Sequence, residues 1–291
     1  SDKEIILGLR SDIFCFNVES IPELEVINEL AVRENKIASI CLRVNPDIKA
    51  HTHTHIRTGV AENKFGIAFD EIMYVIKLAN TMSNITFKGL HFHIGSQITE
   101  MDDFISLCMC INRLLEMMEV EGIKAEIINV GGGLGVDYDT PQMHAIPDFH
   151  AYFQTYINNL QLRPWQTLHF ELGRSVVAQC GTLFTRVLYV KKGVQKQFAI
   201  VDAGMTDLIR PALYHAHHKI ENISSTAKTY EYYDVVGPIC ESTDVFDKQV
   251  GMPTTKRGDM LAIHSIGAYG EVMASHYNCR ALPKAYTDKE I

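Results

Sequence analysis

Residues 129–135 read Asn-Val-Gly-Gly-Gly-Leu-Gly, three glycines directly behind the apolar run Ile127-Ile128-Asn129-Val130. With no side chains in the way, successive backbone N–H groups can turn toward one anion, so such a loop suits a phosphate. Read alone, the same run is equally a tight strand-to-helix turn. It has neither the Gly-x-Gly-x-x-Gly spacing of a dinucleotide fold nor the Gly-Lys-Ser/Thr of a triphosphate loop. Two more clusters carry chemically capable side chains, His91-Phe92-His93-Ile94-Gly95-Ser96-Gln97 and Glu171-Leu172-Gly173-Arg174. Histidine-rich stretches also occur, with His51, His53 and His55 in a polar loop and His215, His217 and His218 near Tyr214. Neither has a carboxylate or cysteine at ligand spacing, so no metal is expected.

The elements that must hold these clusters alternate between strand and helix. Ile13 to Val18 reads as a buried strand, followed by a helix from a Ser20 cap to about Arg33 with Pro22 and Glu23 in its first turn. Ile37 to Val44 is a second strand, stopped by Asn45-Pro46. A helix over about Asp70 to Ala79 precedes a third strand ending at Gly89 to His93. Asp102 or Asp103 is expected to cap a long helix with Phe104, Leu107, Cys108, Ile111, Leu114, Leu115 and Met118 on one face. The triglycine strand is the fourth. Pro147-Asp148 opens a helix with Phe149, Tyr152, Phe153, Tyr156, Ile157 and Leu160 as core, and Leu168 to Glu171 is the fifth strand. Beyond Gly173 the runs Thr182–Val190, Gln197–Val201, Tyr232–Val236 and Leu261–His264 are β-rich, the pattern of a separate β domain.

Strand–helix repeats imply a parallel sheet, open or closed into a barrel, and in a barrel functional residues gather at the C-terminal strand ends. All three clusters sit at such ends. The expectation is an α/β fold: an incomplete (β/α)8 TIM-type barrel of about five strands over residues 1–172, then a mainly β domain over 173–291. The chain has 291 residues, 46% hydrophobic and 21% charged, with a formal net charge of −8 and a pI near 5.9. That balance argues against nucleic-acid or anionic-membrane surfaces. No apolar run reaches the roughly 20 residues that cross a bilayer, and residues 1–4 lack the features of a signal peptide. Seven scattered cysteines fit reduced thiols of a cytoplasmic protein.

Taken in order, the motifs resemble the barrel-type (fold III) pyridoxal-phosphate decarboxylases of basic amino acids, and among them the diaminopimelate decarboxylase pattern. The resemblance runs through Phe16-Asn17-Val18-Glu19-Ser20, Leu42-Arg43-Val44-Asn45-Pro46, Glu62-Asn63-Lys64-Phe65-Gly66 and the three clusters. It continues through Asp202-Ala203-Gly204-Met205, Asp207 to Tyr214, Gly237-Pro238-Ile239-Cys240-Glu241-Ser242 and Gly267-Ala268-Tyr269-Gly270.

The resemblance implies decarboxylation of meso-2,6-diaminopimelate to L-lysine. Pyridoxal 5'-phosphate is the implied cofactor, bound by His93, Ser96, Gly131, Gly132, Gly133, Glu171, Gly173, Arg174 and Tyr269. His93 lies against the cofactor ring, and Glu171 keeps the pyridine nitrogen protonated. Leu172 stands where the family usually has proline. Arg174, Arg210, Tyr214, Glu241 and Tyr269 contact the substrate, Arg210 taking its second carboxylate and Glu241 an ammonium. Cys240 returns a proton to Cα. The resemblance also implies a homodimer in which Cys240 and Glu241 reach the partner's site. His91 faces the same side as His93 and receives no chemistry.

The family's Schiff-base lysine lies on an early barrel strand, in a segment this sequence does not contain; Lys64 belongs to another motif. The likeness starts near the fourth barrel strand, so that lysine is expected upstream of Ser1. Alternative readings are decarboxylation of carboxynorspermidine, ornithine or arginine, or a non-catalytic regulatory homologue.

Overall fold

A computed structural model describes residues 1–46, 48, 64–287 and 289. His51, His53, His55, Glu62 and Asn63 lie outside the described residues. The chain divides into two compact units, residues 1–134 with 148–172 and residues 135–147 with 173–291.

The first unit runs α1 (Asp2–Arg10), β1 (Phe16–Val18), α2 (Ile21–Arg33), β2 (Ala38–Asn45), β3 (Ile67–Ala68), α3 (Ile72–Ala79), β4 (Ile85–Phe92), α4 (Met101–Val120), β5 (Ile127–Asn129), α5 (Phe149–Asn159) and β6 (Thr167–His169). Among the described residues its strands are ordered β1-β2-β4-β5-β6 with β3 also beside β2, and their pairings are parallel. Parallel neighbours need crossover connections, which α2, α3, α4 and α5 supply. Every strand therefore delivers its C-terminal end to the same edge of the sheet.

Local chemistry sets the helix boundaries. Ser20 Oγ accepts from Glu23 N at 3.3 Å, and Asp148 Oδ1 from Ala151 N at 2.8 Å, satisfying first-turn donors. The long helix α4 corrects one expectation. Its N-cap is Glu100, with no side-chain cap bond, and Asp102 and Asp103 fall inside its first turn. There their charges favour the positive end of the helix dipole. The expected apolar face of α4 is buried in full, Phe104 through Met118. In α5 the buried face is narrower than the apolar stripe. Tyr152 and Tyr156 are buried, with Tyr152 edge-on to Phe104 at 4.9 Å, but Ile157 is 67% exposed.

The second unit contains α6 (Arg174–Val177), β7 (Leu183–Lys192), β8 (Gln197–Val201), α7 (Arg210–Tyr214), β9 (Ile220–Asn222), β10 (Tyr230–Val236), β11 (Val245–Pro253) and β12 (Met260–Ile263). Its strands form one mixed sheet ordered β11-β10-β8-β7-β12-β9, antiparallel except for β8 with β10. Val187, Val201, Leu208, Tyr233, Val235 and Leu261 are central to its core. Two strands here, β9 and β11, have no counterpart in the sequence reading. In β11 only Phe246 and Met252 are buried, so the polar residues between them break the alternation by which a strand is recognised.

Candidate functional site

In the first unit the C-terminal strand ends bring Glu171, His91, His93, Asn129 and the triglycine loop into one hydrogen-bonded network. Glu171, after β6, is the hub. Its Oε1 accepts from Asn129 Nδ2 at 2.8 Å and Asn17 Nδ2 at 3.2 Å. Its Oε2 faces His91 Nε2 at 3.2 Å. A carboxylate can only accept here, so His91 Nε2 carries the hydrogen, and its buried Nδ1 has no partner among the described residues. These donors, His91 first, hold the Glu171 carboxyl at about 2, although burial opposes them. The side chain is 47% exposed and remains a charged carboxylate offered at the strand ends.

The same network explains the glycines. Glu171 N donates to Gly131 O at 2.7 Å, and Gly131 N donates to Asn129 Oδ1 at 2.9 Å. Gly132 N donates to His93 Nδ1 at 3.3 Å. A Cβ on Gly131 would stand 2.3 Å from Phe92 O, and one on Gly132 2.4 Å from Glu171 O. Both positions thus require glycine for close backbone approach. Gly131 and Gly132 thus direct their N–H groups to Asn129 and His93. Gly133, at φ +109°, keeps an N–H with no partner among the described residues.

His93 is partly buried, and burial, reinforced by Arg43, pushes its imidazole down to about 4, so it is neutral near pH 7. Ser96 follows in the loop after β4 and is partly buried. Arg43 itself is paired, its Nη1 donating to Glu19 Oε1 at 2.7 Å.

The second unit carries a cluster of its own around Tyr138. Arg174 opens α6 and is 6% exposed; Arg210 opens α7 and is 5% exposed. Both guanidinium groups donate to Tyr138 Oη, from Arg174 Nη1 at 2.7 Å and from Arg210 Nη1 at 3.2 Å. Arg210 Nη1 also meets His218 Nε2 at 2.9 Å. Tyr269 places its ring 5.5 Å from the Arg174 guanidinium. A Cβ on Gly173 would come within 2.7 Å of Tyr269 Oη, the tip of a partly exposed side chain. Tyr214 ends α7 and is partly buried.

Cys240 and Glu241 stand apart from this cluster. Both are exposed in the turn between β10 and β11, with Glu241 Oε1 accepting from Ser242 N at 2.9 Å. Among the described residues no contact joins either to Arg174, Arg210 or Tyr269. Glu241 lines a cavity of about 330 Å³ with Met205, Thr206, Ile209, Thr243, Ser275 and Tyr277. The turn is tied down by buried Asp244, which accepts from Met205 N at 2.6 Å and Ile239 N at 2.7 Å. His217 is engaged by Asp247 at 2.8 Å and Asp139 at 3.4 Å, so the histidine cluster does not act as one group.

Asn17, Asn129 and Tyr138 are functional candidates that reading the residues in sequence did not single out, and His218 stood out there only as one of a histidine cluster. Asn129 had a local signal, an amide on the last residue of an otherwise apolar strand. Tyr138 had none, because its arginine partners lie 36 and 72 residues away along the chain.

Comparison with known proteins supplies the chemical context. The family described as "Pyridoxal-dependent decarboxylase, pyridoxal binding domain" matches residues 1–178. The diaminopimelate decarboxylase of Bacteroides thetaiotaomicron is 62% identical over 291 residues, covering 100% of this chain and 75% of that protein. The Haemophilus influenzae diaminopimelate decarboxylase is 43% identical over 284 residues, covering 97% of this chain and 67% of that protein. Among solved structures, Helicobacter pylori diaminopimelate decarboxylase complexed with L-lysine superposes with a TM-score of 0.88 at 40% identity, over 96% of this chain and 68% of that one.

Proposed function

The chain belongs to the pyridoxal-dependent decarboxylase family, and from that premise we propose how its residues divide the decarboxylation of meso-2,6-diaminopimelate to L-lysine and carbon dioxide. The first unit fits pyridoxal 5'-phosphate on an observation of its own. Glu171 is a fully ionised carboxylate fixed by three side-chain donors and still partly open, which suits a protonated pyridine nitrogen. When bound, the cofactor accepts the electron pair left at Cα as carbon dioxide departs. Glu171 holds the proton at the ring nitrogen, since a neighbouring negative charge raises that nitrogen's pKa. His93 offers a flat, uncharged face to the ring. Ser96, the Gly133 N–H, Gly173, Arg174 and Tyr269 are assigned to the phosphate, while Gly131 and Gly132 let the loop close on His93 and Glu171.

The observation that carries the choice of substrate is Arg210. It is buried, and among the described residues its partners are a phenol and an imidazole, with no carboxylate. Burying a guanidinium without a counter-ion is costly, and a substrate with a second carboxylate supplies one. Ornithine and arginine have no such group. Tyr214 and Glu241 complete substrate binding, Glu241 toward an ammonium. Cys240 gives a proton to Cα.

The exposure of Cys240 and Glu241, away from the Arg210 cluster, supports a homodimer in which they serve the partner's site. Cytoplasmic location is supported by seven unpaired cysteines. No described helix is long and apolar enough to cross a membrane.

A substrate panel tests the assignment. The holoenzyme is expected to form lysine and carbon dioxide from meso-diaminopimelate, with kcat/KM for carboxynorspermidine, ornithine and arginine lower by about 100-fold or more, as unpaired buried charge implies. Comparable turnover of ornithine would remove Arg210 from substrate choice.

A further inference from the structure

Arg210 Nη1 is held by two neutral groups, a phenol and an imidazole. Tyr138 Oη accepts from it at 3.2 Å and from Arg174 at 2.7 Å, so one phenol oxygen serves two buried guanidinium groups, and its own hydrogen must point away from both. The Arg210 guanidinium also lies over the Tyr138 ring, 5.2 Å from its centroid, where the ring's negative face attracts it. The same Arg210 Nη1 also donates to His218 Nε2 at 2.9 Å. Because Nε2 accepts, Nδ1 carries the ring hydrogen and donates to His264 O at 2.9 Å. That second bond fixes the tautomer. His218 is 1% exposed and packs edge-on against Tyr138 at 5.0 Å, so phenol and imidazole also orient each other. Burial, and then Arg210 itself, pushes the imidazole down to about 3, which keeps it uncharged.

We propose that Tyr138 and His218 are positioning residues that fix the direction of Arg210 without neutralising it, and thereby set the enzyme's affinity for the carboxylate-bearing end of the substrate. The inference rests on the reading that Arg210 takes the second carboxylate. A glutamate or aspartate at either place would make equally good hydrogen bonds. It would also satisfy the charge internally and lower the attraction for an incoming anion. The neutrality of the two partners is thus the device, and it distinguishes positioning for binding from mere support.

Steady-state kinetics of the holoenzyme with meso-diaminopimelate test this with variants that separate hydrogen bonding from charge. Tyr138→Phe and His218→Leu are expected to raise KM about tenfold, the loss of one bond to a charged group, with kcat within about twofold. His218→Gln keeps a neutral acceptor and should give back most of the affinity that His218→Leu loses. His218→Glu keeps an acceptor but adds a charge, and should raise KM at least as much as His218→Leu. Tyr138→Phe removes a single atom, so it keeps the test decisive if a His218 variant fails to fold. If His218→Glu rescues as well as His218→Gln, or Tyr138→Phe leaves KM unchanged while Arg210→Gln raises it, the inference is wrong and the substrate reading stands. If Arg210→Gln leaves KM unchanged, the substrate reading itself falls.

Discussion

Arg43 and Arg210 are two arginines of nearly equal burial, 9% and 5% exposed, one in each unit. Arg43 meets a carboxylate at once, Glu19 at 2.7 Å, and Glu19 Oε2 in turn accepts from Gly66 N at 3.1 Å. Among the described residues Arg210 meets Tyr138 and His218 and no carboxylate. Burial alone therefore does not tell what a charge is for. A cation answered inside the chain contributes to the fold, whereas one given good hydrogen bonds but no counter-ion raises the energy of the free protein until an anion arrives. Glu171 shows the same design with opposite sign, a carboxylate fixed by two amides and an imidazole and left partly open.

Breaking the negative counterpart should have the largest effect. Glu171→Gln keeps the size and removes the charge that holds the ring proton, so kcat is expected to fall on the order of 10²-fold or more. A loss confined to KM would place Glu171 with binding instead. Breaking the internally paired arginine should appear in stability. Arg43→Gln leaves Glu19 without its cation and is expected to destabilise by about 2 kcal/mol, seen as a lower thermal midpoint. An unchanged midpoint would mean the pair is too well hydrated to matter.

The smallest effect is on the pH dependence of stability. His218 and His93 titrate in the folded chain at about 3 and about 4, well below an unfolded imidazole. Their folded pKa values are depressed, so the unfolded state binds more protons between about pH 6.5 and the folded values, and stability falls with acid over that window. His218→Gln should flatten part of the decline of the thermal midpoint between pH 6.5 and 4. A decline of identical slope in the variant would show that other groups govern it.

How much of this was legible follows from how local the physics is. The seven-residue face of α4 was readable because 3.6-residue periodicity is written into neighbouring positions, and the parallel sheet followed from strand–helix alternation. The cap of α4 was misplaced because Asp102 and Asp103 favour a first turn as well as a cap. Ile157 belongs to the apolar stripe of α5 and is nevertheless exposed, because a stripe records apolarity, not what lies opposite it. The clusters around His93, the triglycine loop and Glu171-Leu172-Gly173-Arg174 stood out as polar groups at strand ends. Their wiring did not. Asn129 bridging Glu171 to Gly131, and Tyr138 meeting arginines 36 and 72 residues away, depend on contacts that no spacing rule encodes.

The contrast between the two arginines is tested most directly by measuring Arg210→Gln for KM and for thermal midpoint in the same preparation. The KM for meso-diaminopimelate is expected to rise about 10- to 100-fold, as for a lost charge-assisted pair, with a substrate-free midpoint equal to or above that of the parent enzyme. A midpoint lowered as much as in Arg43→Gln, with KM unchanged, would show that Arg210 is a structural cation like its counterpart and would contradict the account.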